Sequence, residues 1–111
     1  MSKEEIQMPR IIAAFVKAKN NRDHEAVVAC FASNATVHDE GNEMRGATAI
    51  REWSDNTSKK YQFTIDPTEI VEGNNETILT ATLTGNFPGS PVSLDFHFNI
   101  EDDLIATLTI K

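Results

Sequence analysis

The spacing of apolar residues changes period partway along this chain, and that change limits the folds open to it. From Ile11 to Phe31 apolar side chains recur at helical intervals, whereas from Tyr61 to Ile110 they alternate as in strands. Helices first and a run of strands last define an α+β domain, with helices laid on one face of a mainly antiparallel sheet. At 111 residues there is room for one hydrophobic core, so a single domain over residues 1–111 is expected.

Ile11, Ile12, Phe15, Val16 and Ala18 form the inward stripe of a first helix, with Lys17, Lys19 and Asn20 off it. Pro9 suits the first turn; a Ser2 and Glu5 capping box is the alternative start and places Pro9 in the helix interior, with a kink or a frayed lead-in. Asp23 reads as the N-cap of a short helix that carries Ala26, Val27, Cys30 and Phe31 inward. Ala35 to Asp39 alternates as a strand, with Ala35, Val37 and Asp39 on one face and Thr36 and His38 on the other. Gly41 and Asn42 turn the chain, and a third helix runs from Gly46 through Ile50 and Trp53 before fading in Asp55 to Lys60.

Tyr61, Phe63 and Ile65 open a strand that Pro67 interrupts and Thr68 to Glu72 resumes, the pattern of a bulge. Thr77 to Asn86 and Val92 to Ile100 are joined by Phe87-Pro88-Gly89-Ser90, where Pro then Gly suits a type II turn. Leu104 to Ile110 returns after a tight acidic turn at Asp102 and Asp103. The predicted order is α-α-β-α-β-β-β-β, its last four strands forming an antiparallel meander.

Ten Lys and Arg against seventeen Asp and Glu give a net charge of -7, which opposes approach to a phosphate backbone or an anionic lipid surface. No nucleic-acid or membrane partner is expected. Residues 1–10 lack the apolar core of a signal peptide, and no stretch approaches the ~20 apolar residues of a membrane span, so the expected location is cytoplasmic. The three Asn-x-Ser/Thr patterns, at Asn34, Asn56 and Asn75, then meet no glycosylation machinery. Cys30 is the one cysteine, so it cannot form an internal disulfide, and it is read as core.

The run Ala35-Thr36-Val37-His38-Asp39-Glu40-Gly41, followed by Arg45-Gly46 and Ala49-Ile50-Arg51-Glu52-Trp53, resembles the SnoaL-like branch of the nuclear transport factor 2-like superfamily. The loop Gly85-Asn86-Phe87-Pro88-Gly89-Ser90-Pro91 and the closing Ile105 to Ile110 strand are similar to the same branch, so the likeness spans nearly the whole chain. The resemblance implies a cystatin-like cone, in which a curved sheet and helices enclose a mostly apolar pocket, often paired with a second copy. Members include isomerases, polyketide cyclases, dehydratases, epoxide hydrolases and proteins without catalysis, so the fold alone does not select an activity.

Asp39 matches the general-base aspartate of the ketosteroid isomerases within this likeness. Independently, sharing a strand face with Val37 directs Asp39 inward, where desolvation raises a carboxyl pKa toward values useful in proton transfer. Its place before Glu40-Gly41-Asn42 equally fits a turn-organising role. The enolate-binding tyrosine and neutral aspartic acid of those enzymes align with Phe15 and, approximately, Phe96, neither of which donates a hydrogen bond. Trp53 and Tyr61 are the remaining candidate donors, although both also suit a core with a polar tip.

Phe15, Phe31, Trp53, Tyr61, Phe96 and Phe98 are the candidate ligand-binding residues, as large side chains at inward positions. His97 falls at the outward phase of its strand, and His38 points away from Asp39. Val92, Leu94, Phe96, Phe98 and Ile100 leave no second carboxylate for an epoxide hydrolase arrangement. No metal site and no cofactor are expected, because His38, Asp39 and Glu40 are adjacent rather than spaced to converge.

These readings point to a domain binding a small apolar molecule. Asp39 acts as acid/base on a carbonyl compound in the isomerase, cyclase or dehydratase manner, or the chemistry is lost and only binding or dimerisation remains. A homodimer is expected through the open sheet face, where Ile78, Thr80, Thr82, Thr84, Ile105, Thr107 and Thr109 make an uncharged β-branched row and Ser93, Asp95, His97 and Asn99 supply polar contacts.

Overall fold

The computed structural model describes residues 7–111; the Ser2 and Glu5 capping box lies outside them. Helix α1 (Arg10–Asn20) begins after Pro9, whose missing N–H costs nothing at a helix start. Helix α2 (His24–Ala29) is capped by the Asp23 side chain, which accepts from Ala26 N at 3.1 Å. Strand β1 (Phe31–Asp39) follows, four residues longer at its start than the Ala35–Asp39 alternation indicates.

The sequence order omits one element. Strand β2 (Asn42–Arg45) folds back on β1 through a two-residue turn at Glu40 and Gly41, with φ of 55° and 78°, and Asp39 faces Asn42 across it. Positive φ at both central residues matches the twist of a type I′ hairpin, so Asn42 opens the new strand instead of turning the chain. The observed order is therefore α-α-β-β-α-β-β-β-β.

Helix α3 (Ala47–Tyr61) runs past its expected fading point. Its polar residues have partners: Lys59 pairs with Asp55 at 3.2 Å one turn away, and Ser54 and Ser58 are buried. Tyr61, expected to open a strand, is the last helical residue, and Gln62 ends the helix in the left-handed region.

Strands β3 (Thr64–Glu72), β4 (Thr77–Thr84), β5 (Val92–Glu101) and β6 (Leu104–Ile110) form the expected meander, with the register slipping between Pro67 and Glu69. Among the described residues the six strands lie in the order β2-β1-β6-β5-β4-β3, and only the β1–β6 pair is parallel.

One core holds the layers together. Ile12, Phe15 and Val16 of α1, Val27 of α2, and Ile50 and Trp53 of α3 meet Val37, Leu79, Ala81, Phe96, Phe98 and Leu108 of the sheet. Cys30 is buried among them as expected. Ile105 is corrected: the register slips between Asn99 and Ile100, so Ile105 faces Ile100 and is fully buried instead of standing beside Thr107. Asn20, off the apolar stripe, donates to Ile65 O at 2.9 Å and accepts from Ile65 N at 2.7 Å, tying the end of α1 to edge strand β3. Among the described residues no helix is long and apolar enough to cross a membrane.

Candidate functional site

Between the helices and the inner face of the sheet lies a largely apolar cavity of about 200 Å³. Phe15 of α1 and Phe96 of β5 meet in it edge to face at 6.4 Å, and Val92, Leu94, Leu83 and Ile110 continue the sheet wall. Phe87, from the loop that turns at Gly89, contacts Tyr61 edge-on at 5.6 Å on another wall. This volume lies below the roughly 300–1,000 Å³ of sites for drug-sized ligands, so it suits a smaller molecule.

The polar groups gather at one part of the lining. Asp39 ends β1, and its Oδ2 accepts from the Trp53 indole N–H at 3.0 Å. Burial pushes the Asp39 carboxyl up from its ordinary value; the Trp53 hydrogen bond opposes this, the neighbouring Glu40 charge adds to it, and the Lys19 charge opposes it. Beside it, the Glu40 carboxylate accepts from the Tyr61 hydroxyl, the type I′ turn having set its direction.

The sequence reading left Lys19 off the helix stripe, but the structure buries it in this lining at 3% exposure. Its Nζ donates toward Ser54 O, Thr57 Oγ1 and Ser58 Oγ of α3 at 3.3, 3.2 and 3.4 Å, and lies 4.8 and 5.1 Å from the ring centres of Trp53 and Phe63. Burial pushes its amine down to about 8, offset in part by the Asp39 charge and reinforced by Arg22. A signal for it was present: Lys19 stands four residues after Phe15 and seven after Ile12, which is the same helix face. Its charge masked that spacing.

Of the residues singled out from the sequence, Phe15, Asp39, Trp53, Tyr61 and Phe96 line the cavity together. Phe31 and Phe98 do not; they pack edge-on against Phe15 at 5.9 and 5.6 Å, as a second layer in the core. His97 faces outward beside Glu76 at 3.4 Å, and His38 is exposed. Among the described residues, no cluster of His, Cys, Asp and Glu is arranged to hold a metal ion.

An α+β domain of three helices on a six-stranded sheet, with an apolar cavity and a carboxylate at its polar end, has the architecture of the ketosteroid isomerase-like and cystatin-fold proteins. The SnoaL-like domain profile matches residues 12–108, and the chain belongs to that family.

A protein from Sinorhizobium meliloti, provisionally assigned as a polyketide cyclase, shares 34% identity over 94% of this chain and 95% of its own, with a TM-score of 0.91. A protein of ketosteroid isomerase-like fold from Catenulispora acidiphila, solved in complex with trimethylamine, is 19% identical over 95% of this chain and 86% of its own at a TM-score of 0.84. The epoxide hydrolase/cyclase-like enzyme SalBIII of pyran ring formation in salinomycin is 21% identical over 90% and 85%, with a TM-score of 0.78. No curated protein sequence matches the chain.

Proposed function

We propose that this domain binds a small, mostly apolar carbonyl compound and that Asp39 moves a proton on the carbon next to its carbonyl. The observation that carries this reading is the Asp39 carboxylate, raised by burial and held by Trp53, at the polar part of an otherwise apolar cavity. A base with a raised pKa binds a proton more strongly, and the indole N–H fixes the carboxylate in place without neutralising it. Isomerisation through an enolate, aldol-type cyclisation and β-elimination of water all begin with such a transfer.

The test is hydrogen–deuterium exchange at the α-carbon of small apolar ketones and aldehydes in D2O, followed by proton NMR. Exchange by the native chain and its loss in Asp39→Asn support the reading. Exchange that persists in Asp39→Asn counts against it. A second reading is binding without turnover, favoured by Phe15 and Phe96, which place no donor where an enolate oxygen would need one. Quenching of Trp53 by an apolar probe with no exchange under any condition selects it.

We propose also that a second copy of the chain covers the outer face of the sheet. There Thr80 donates to the Asp95 carboxylate at 2.8 Å and Thr107 donates to Asn99, so part of the polar groups of the face is already partnered within the sheet. A β-branched face whose hydroxyls are partly occupied in this way is desolvated at lower cost than one of free hydroxyls.

A further inference from the structure

Asp39 accounts for one charge in the cavity and leaves Lys19 without a task. Its surroundings differ from those of a structural salt bridge. Among the described residues Lys19 forms no ion pair, and its contacts with α3 oxygens, at 3.2 to 3.4 Å, are longer than the about 2.7–2.9 Å typical between an ammonium and a carboxylate. The Thr57 hydroxyl is committed as a donor to Trp53 O at 2.9 Å, so it accepts from Lys19. The Ser54 hydroxyl is shared with His24 Nδ1 at 2.8 Å, whereas the Ser58 hydroxyl can accept from an ammonium or donate to the lone pair of a neutral amine. This cage therefore satisfies both protonation states, which a carboxylate partner would not. The rings of Trp53 and Phe63 lie against the nitrogen, and Lys19 lines the cavity together with Phe15 and Ile65.

We propose that Lys19 is a catalytic nucleophile whose Nζ condenses with the carbonyl group of a small apolar aldehyde or ketone held in this cavity. The neutral amine attacks the carbonyl carbon, a C–N bond forms, and the C=O π pair moves to oxygen, which takes up a proton. The resulting hydroxyl leaves as water with the second proton lost from nitrogen, so that ammonium and carbonyl compound together give a protonated imine and one water. Asp39 then removes the α-proton, and the C–H electron pair moves into the iminium to give an enamine.

An amine held near 8 keeps a substantial neutral fraction near neutral pH, which an exposed lysine does not. The charged groups acting on it are Asp39, which raises it, and Arg22, which lowers it. The imine also explains the Phe15 and Phe96 positions: its positive nitrogen is the electron sink, so no oxyanion donor is required there. The inference rests on the cavity being a carbonyl-compound site and adds a covalent step to it.

Reductive trapping tests it. The full chain is incubated with hexanal and sodium cyanoborohydride, which reduces an imine to a stable secondary amine, and the adducts are mapped by peptide mass spectrometry. The expected result is labelling of Lys19 roughly tenfold above the mean of Lys17, Lys59, Lys60 and Lys111, the preference following its larger neutral fraction. Lys19→Arg keeps the cation and should lose both the preferred adduct and α-deuteration of hexanal; Lys19→Met serves if the arginine does not fold. Labelling of Lys19 no greater than that of the other lysines overturns the proposal, as does α-deuteration undiminished in Lys19→Arg. Asp39→Asn separates the two readings, since trapping at Lys19 that persists while α-deuteration is lost supports both the imine and Asp39 as its base, and α-deuteration that persists with trapping keeps the imine and removes the base. Exchange lost in Asp39→Asn, with no trapping in the native chain, keeps the base and removes the imine.

Discussion

Burial lowers the Lys19 amine and raises the Asp39 carboxyl, and the charge of each partly offsets the shift of the other. For Lys19 the folded chain binds fewer protons than the unfolded chain between about 8 and 10.5, so its cost to stability is full below pH 8 and fades as pH rises to 10.5. The stability of Lys19→Met relative to the native chain should therefore be about 3 kcal/mol more favourable at pH 7 than above pH 10.5, the difference shrinking across that window. Urea unfolding at a series of pH values measures it, and a constant difference would mean that the buried amine carries no such cost. For Asp39 the sign is opposite. The folded chain holds the extra proton above 3.8, so stability from this group is greatest below 3.8 and declines as pH rises through the raised value. An NMR titration of its carboxyl should give a midpoint above 3.8; a midpoint at or below it would remove the general-base role. Asp39 was legible because strand alternation assigns it a face. Lys19 was not, since a charged residue on an apolar stripe is ordinarily solvated and only the hydroxyls of α3, thirty-five and more residues away, make its burial tolerable.

Among the elements, the end of α3 decides where the cavity wall stands. Gly85, just after β4, lies so close that an added Cβ would sit 2.6 Å from Tyr61 O and 2.8 Å from Phe63 Cα, and Asn86 N donates to Tyr61 O at 2.7 Å beside it. Gly85→Ala must displace backbone on one side or the other and should cost about 2 kcal/mol or more, read as a lowered urea midpoint together with weaker Trp53 quenching by apolar probes. A loss under about 0.5 kcal/mol would mean that the loop yields freely. The same region shows why Tyr61 was assigned to a strand: Tyr61, Phe63 and Ile65 alternate, but the alternation crosses a helix end, and Gln62 in the left-handed region makes the change of direction. Strand β2 escaped notice for a different reason. Asn42 to Arg45 carries no apolar alternation, and it pairs because the Glu40-Gly41 turn returns it alongside β1.

For the whole molecule, the expectation is a symmetric pair joined through the outer sheet face. Sedimentation equilibrium should find a dimer at tens of micromolar, and a monomer there would remove the proposal. Thr82→Arg and Thr107→Glu, made separately, should each shift the pair toward monomer, because each sets a charge in a face that would otherwise be desolvated. A dimer unchanged by both would place the contact on another surface. Ile105 drops out of that face, so the last strand contributes Thr107 and Thr109 alone.

Local patterns in the sequence determined most of the architecture: the helical stripe of α1, the Asp23 cap, the Pro67 bulge, the Pro88-Gly89 turn and the alternation of the meander each act over a few residues and can be read there. The resemblance in Ala35 to Trp53 joined those pieces into a family and marked Asp39 and Trp53, which the fold brings to 3.0 Å. The tertiary structure alone decided the rest, because burial of a polar group depends on partners distant in the chain. It buried Lys19 against Ser54, Thr57 and Ser58, set Phe31 and Phe98 behind Phe15 instead of on the cavity wall, and turned Ile105 inward through a register slip. A side chain's period assigns its face, but the surface that meets that face is supplied from elsewhere in the fold.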